Sequence, residues 1–135
     1  MKQTLNEVFE SLRTTIEKAY ESGVTLQEAE RLAAQTLLIR LQLADQIKSM
    51  DLSARLKKHG VKAVRAQVYM EELAKHDKKP AENYMDNAVN LSDLVKAEER
   101  EYAEADVSKD QMMTYMDIFK DAHLYFRGIM KGTFE

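Results

Sequence analysis

Apolar residues recur along the start of the chain at three- and four-residue steps, a period that predicts helices rather than strands. Leu5, Val8, Phe9, Leu12, Ile16, Ala19 and Tyr20 fall on one stripe about a third of a helical circumference wide. Thr4 followed by Glu7 makes a capping box, and Gly23 stands where a left-handed helix end favours glycine, so a first helix is predicted from about Leu5 to Ser22. Thr25 and Glu28 open a second helix that runs to about Met50. Its apolar residues, among them Leu26, Leu32, Leu37, Ile39, Leu41, Leu43 and Ile47, fill about half the wheel, and Leu38 lies outside even that arc. A helix this broadly apolar is central in its fold, or is buried on two sides, once internally and once by another subunit. Arg40 falls inside the arc and has to reach water along its stem or find a carboxylate or carbonyl.

Beyond Met50 the pattern loosens. Asp51–Gly60 reads as a hinge-like stretch, with room for a short helix around Leu52–Lys58 ended by Gly60, and a third helix follows from about Val61 to His76. Lys62, Arg65, Tyr69 and His76 share one side of that helix, within about 60° of one another. Asp77-Lys78-Lys79-Pro80 is a turn, with Pro80 suited to the first position of a new helix. A short helix over Ala81–Ala88 comes next, and Asn90 or Ser92 suits the cap of a longer one. From Leu94 to Asp110 only Val95, Tyr102 and Val107 offer bulk, so this part is expected to be solvated on most sides. Ser108 with Gln111 forms a third capping box, and the pattern allows either a break there or one helix through 92–130. The last helical stretch, about Lys109–Lys131, spreads Met112, Tyr115, Met116, Phe119, Tyr125 and Phe126 over about half the wheel, with His123 inside the arc. Two faces of this breadth are covered most easily by self-association. Leu38, Arg40, Met112, Met116, Phe119, His123 and Phe126 are the residues expected at a partner or oligomer interface.

Four Gly and one Pro leave few places for strand turns. The expected fold is therefore all-α, with four to six helices, two of them long and amphipathic, in a helical bundle or coiled-coil-like assembly. A chain of 135 residues suits a single all-helical domain over 1–135, with the N-terminal helix (residues 4–22) a candidate for a separately packed arm. No run of about 18 apolar residues occurs, so neither a transmembrane helix nor a membrane partner is expected. The start, Met1-Lys2-Gln3-Thr4, lacks the apolar stretch of a signal peptide, and with no cysteine in the chain a cytoplasmic location is the expectation.

The chemistry-bearing residues form no catalytic pattern. His59, His76 and His123 stand in no ligand pair and no Glu-x-x-His motif occurs, so no metal and no cofactor are expected. His123 reads as a satisfied core or interface histidine. The glycines are scattered rather than gathered in a phosphate loop, no serine elbow is present, and most carboxylates lie in the solvated run Glu98–Asp110. The expectation is a protein that is not an enzyme.

Charge gives the strongest lead. Residues 55–79 carry eight Lys or Arg against three Asp or Glu, a local +5, while residues 82–110 carry nine acids against three bases, a local −6. The formal total of −3 hides this division. A cationic segment of this kind holds a polyanion locally or pairs with the acidic segment of a neighbour. Lys62 and Arg65 suit phosphates and Tyr69 beside them offers a face for a base, the combination that sequence-tolerant single-strand binding uses. Lys57, Lys58, Lys78 and Lys79 add attraction from the flanks. The alternative is a helical protein-binding module, such as an inhibitor, adaptor or structural component, acting through the acidic run at Glu98, Glu99, Glu101 and Glu104 or through the Met-rich face.

The order of these features resembles the small recombination-mediator proteins of bacteriophages, the UvsY family. An apolar helix (Glu28–Met50) leads into the basic run Lys62-Ala63-Val64-Arg65-Ala66-Gln67-Val68-Tyr69, then a Lys/Pro turn, an acidic helix and an apolar C-terminal helix. The resemblance spans about residues 25–132 and carries over Lys62 and Arg65 as DNA contacts; the tyrosine position and the Gly-poor turn depart from the family pattern. It implies a non-enzymatic homo-oligomer that binds single-stranded DNA and helps load a recombinase onto it.

Overall fold

Capping chemistry sets where the chain enters its helices. In the computed structural model, which describes residues 4–132, the Thr4 hydroxyl accepts the Glu7 N–H at 3.2 Å and the Glu7 carboxylate accepts the Thr4 N–H at 3.3 Å, opening α1 (Leu5–Ser22). Gly23 ends it at φ 73°, donating to the Ala19 carbonyl. Thr25 accepts from the Glu28 N–H at 3.1 Å and opens α2 (Leu26–Leu73). Then follow α3 (Glu82–Asn90) and α4 (Asp93–Met130). No strand occurs among the described residues, and the protein is all-α.

One expected division is absent, and a second that the sequence left open does not occur. The hinge over Asp51–Gly60 and the separate helix after it are both part of α2, which runs 48 residues without interruption. The physical reason lies at Gly60, which does not take the positive φ that ends α1 at Gly23, and where a Cβ would meet Glu98 Oε2 at 3.3 Å. This glycine makes room for a close neighbour; it does not stop the helix. The stop comes at Leu73, where Lys75 and His76 fall back to i→i+3 bonds on the carbonyls of Glu72 and Leu73. Likewise the third capping box leaves no break, because α4 is one helix of 38 residues in which Ser108 is interior. Pro80 stands one residue ahead of the Ala81 N-cap rather than inside the first turn of α3.

The chain divides into two compact units, one from the residues up to Ile47 and from Gln111 onward, the other Lys48–Asp110; α2 and α4 contribute to both. In the first unit α1 buries Phe9, Ile16 and Ala19, α2 buries Ala29, Leu32, Ala33, Thr36, Ile39 and Leu43, and α4 buries Met112, Tyr115, Phe119, Ala122, His123 and Phe126. Phe9 meets the rings of Tyr115 at 5.1 Å and Phe119 at 6.1 Å, and the Tyr115 hydroxyl bonds the Glu10 carboxylate. His123 Nδ1 lies 2.9 Å from the Ala33 carbonyl, which makes it the protonated ring nitrogen there.

In the second unit the buried set is small: Ala54, Met85, Val89 and Val95. Polar bonds tie the elements instead. Arg65 reaches Glu99 at 3.0 Å and the Asn90 side-chain oxygen at 2.9 Å, and Lys57 reaches Glu101 at 3.3 Å. Two tyrosine–glutamate bonds run in opposite directions between α2 and α3. Tyr69 of α2 donates to Glu82 at 3.2 Å, and Tyr84 of α3 donates to Glu72 at 2.7 Å.

Candidate nucleic-acid interface

Because α2 does not break at Asp51–Gly60, residues on either side of that stretch share a face. Lys48, Arg55 and Lys62 stand seven residues apart, which repeats at about 10.5 Å along the axis with a drift of about 20° per step. All three are exposed, as are Lys58 and His59 beside them. Lys48, Lys58 and Lys62 make no ion pair among the described residues, and Arg55 is bound only to Asp51, at 3.1 Å. Asp51 is shared further with Lys109 of α4 at 3.5 Å, so its charge is divided between two cations. A strip of unpaired or loosely paired cations on one helix side is a surface that a polyanion lowers in energy.

Most of the other predicted contacts are engaged within the chain. Arg65 and Lys57 are turned to Glu99 and Glu101, Tyr69 to Glu82, and Lys79 to the same Glu82 at 2.8 Å. That bond to Glu82 holds the Lys79 ammonium above its ordinary pKa, while Lys79 draws the Glu82 carboxyl below its own. Tyr69, Arg65, Ala66, Met70, Asp86 and Val89 line a groove of about 410 Å³, and Asp86 puts a carboxylate on its wall. Lys78 is exposed in the turn between α2 and α3. Lys62, Arg65 and Tyr69 stay on one side of the unbroken α2, as the wheel groups them, but Arg65 and Tyr69 are engaged by Glu99, Asn90 and Glu82 while Lys62 makes no ion pair among the described residues. His76 has left the helix and bonds Glu72 at 3.3 Å.

Glu72 is the most heavily tied acid of this unit. Tyr84, His76 and Lys75 converge on it, and these bonds, led by that from Tyr84, bring its carboxyl down to about 2. The Tyr84 hydroxyl is correspondingly raised. The cluster holds α3 on the end of α2; no group of three or more metal-ligating side chains occurs among the described residues.

Of the residues expected at an oligomer interface, Met112, Phe119, His123 and Phe126 are buried inside the first unit. Met116 and Arg40 are half-buried, and Arg40 Nε is enclosed without a hydrogen-bond partner. Leu38 is 62% exposed. Lys48 and Arg55 were missed as interface candidates, although the seven-residue steps from Lys48 to Arg55 to Lys62 were present in the sequence. Dividing the helix at Asp51 hid them.

Comparison with protein families, with curated proteins and with solved structures finds no match. No described helix is long and apolar enough to cross a membrane.

Proposed function

We propose that this chain is a non-enzymatic, single-stranded-DNA-binding protein of the recombination-mediator kind, working in the cytoplasm as a homo-oligomer alongside a recombinase. The observation that supports it is the open row Lys48–Arg55–Lys62, flanked by Lys58, on one face of α2. Neighbouring charges in this unit largely cancel, so attraction is confined to the face itself. One such row gives a short site, and several copies along a strand multiply its hold through effective concentration. Fluorescence polarisation of a labelled oligo-dT strand at low and moderate salt tests the reading. Binding should weaken steeply with salt, and Lys48→Ala/Lys62→Ala should flatten the log–log slope by about 1.4, at roughly 0.7 per lost phosphate contact. Absence of binding at low salt rejects it.

A second reading, docking of a protein helix, is favoured by Leu52 and Leu56, which are 60% and 63% exposed beside the same cations. It is supported less through the acidic run, since Glu99 and Glu101 are engaged in ion pairs within the chain.

A further inference from the structure

Within the first unit, α2 leaves an apolar stretch of its own surface open. On the side opposite its buried row, Leu38 and Leu41 are 62% and 61% exposed with Ala34 beside them, and Leu37, at the edge of the buried row, is 45% exposed. Three leucines within five residues on an open helix face hold water at an unfavourable apolar surface, and the charges that bracket them are arranged symmetrically. Arg31 lies seven residues before Leu38 and Asp45 lies seven residues after it. All three fall within about 40° on the wheel, so they form one seam. Arg31 and Asp45 are exposed, and neither makes an ion pair among the described residues.

That order, cation–leucine–anion at equal intervals, is self-complementary under a two-fold axis. We infer that the occupant of this face is a second copy of the chain, its α2 laid antiparallel across Leu38. An antiparallel pairing centred on Leu38 sets Leu38 against its own counterpart. It carries each Arg31 to the Asp45 of the other copy, twice, about 10.5 Å on either side of the axis. Leu41 of each copy then covers the small Ala34 and the Gln35 stem of the other. A parallel pairing in register sets Arg31 against Arg31 and Asp45 against Asp45, which the charges oppose. The interface is isologous, and it stands apart from the nucleic-acid reading because it needs no ligand.

The test is sedimentation equilibrium of the full chain without nucleic acid, across the micromolar range, on four proteins: wild type, Arg31→Asp, Asp45→Arg, and the double swap Arg31→Asp/Asp45→Arg. The wild type should associate to a dimer. Each single swap places like charges together twice and should weaken association by roughly tenfold, and the double swap should restore it. Far-UV circular dichroism checks that every variant remains helical. Because the chain has no cysteine, Leu38→Cys supplies its single thiol, which lies on the proposed axis and should give a disulfide-linked dimer on mild oxidation. A wild type that remains monomeric overturns the inference. So does a dimer indifferent to both single swaps, or a double swap that fails to recover what the singles lose.

Discussion

Single residues in this protein carry distinct physical duties, and two of them make sharp predictions. Glu72 sits in the last turn of α2, where the helix dipole disfavours an anion, yet its carboxyl is held down to about 2 by Tyr84, His76 and Lys75. A carboxyl depressed on folding contributes stability that is fully present above its unfolded value near 4.5 and is lost as pH falls through about 2. Thermal melts of wild type and Glu72→Gln should therefore differ most near neutral pH, with the variant less stable, and should converge as the pH drops from about 4.5 toward 2. A gap that stays constant over that range would refute the assignment. Gly60 makes the opposite case. Its replacement by Ala meets only the carboxylate end of Glu98 at 3.3 Å, the far end of a flexible side chain that can rotate away. Alanine is better than glycine in a helix interior by about 1 kcal/mol, so Gly60→Ala should raise the melting temperature, whereas a residue needed as a hinge would lower it.

At the scale of elements, legibility followed how many partners each helix has. The bounds of α1 were closely readable because it packs through one stripe, with Thr4 and Gly23 fixing the ends. The second half of α2 was not readable in this way. There Val61, Val64 and Val68 are half-buried, Tyr69 reaches across to α3, and Met70 is 61% exposed. A helix with neighbours on several sides and few large apolar residues shows no single stripe, and so looks broken on the wheel. The broad apolar face of α4 was legible as a face, but the sequence could not assign it to core or to interface. The structure assigns Phe119 and Phe126 to the core of the first unit, where Phe119 lies against Phe9 and Tyr115. If that ring cluster joins α1 to α4, Phe119→Ala should cost about 3–5 kcal/mol in urea unfolding. A loss below about 1 kcal/mol, the size of a surface change, would mean that α1 is held by something else.

For the molecule as a whole, the question is what becomes of the charge reversal between residues 55–79 and 82–110. Part of it is spent inside the chain, since Arg65 and Lys57 bind Glu99 and Glu101. Lys75 and Lys79 are likewise tied to Glu72 and Glu82, while Arg55, Lys58, Lys62 and Lys78 face outward, with Lys48 just ahead of the segment extending the row. The sequence placed Lys62 and Arg65 in one contact set on the strength of their spacing and of the family resemblance; their surroundings predict that they behave differently. Lys62→Ala removes an unpaired cation and should weaken oligo-dT binding and reduce its salt slope by about 0.7, with the melting temperature unchanged. Arg65→Ala removes a partner of Glu99 and Asn90, a bond at a partly exposed site worth roughly 0.2–1 kcal/mol, and should lower stability slightly. Its effect on the salt slope should be small, because Arg65 is already neutralised in the free protein and displaces few counterions on binding. Measured side by side, polarisation and melting curves separate the two roles. Equal losses of affinity from both variants would mean that the Arg65–Glu99 pair opens to the strand, and would extend the interface from Lys62 to Arg65 and Tyr69.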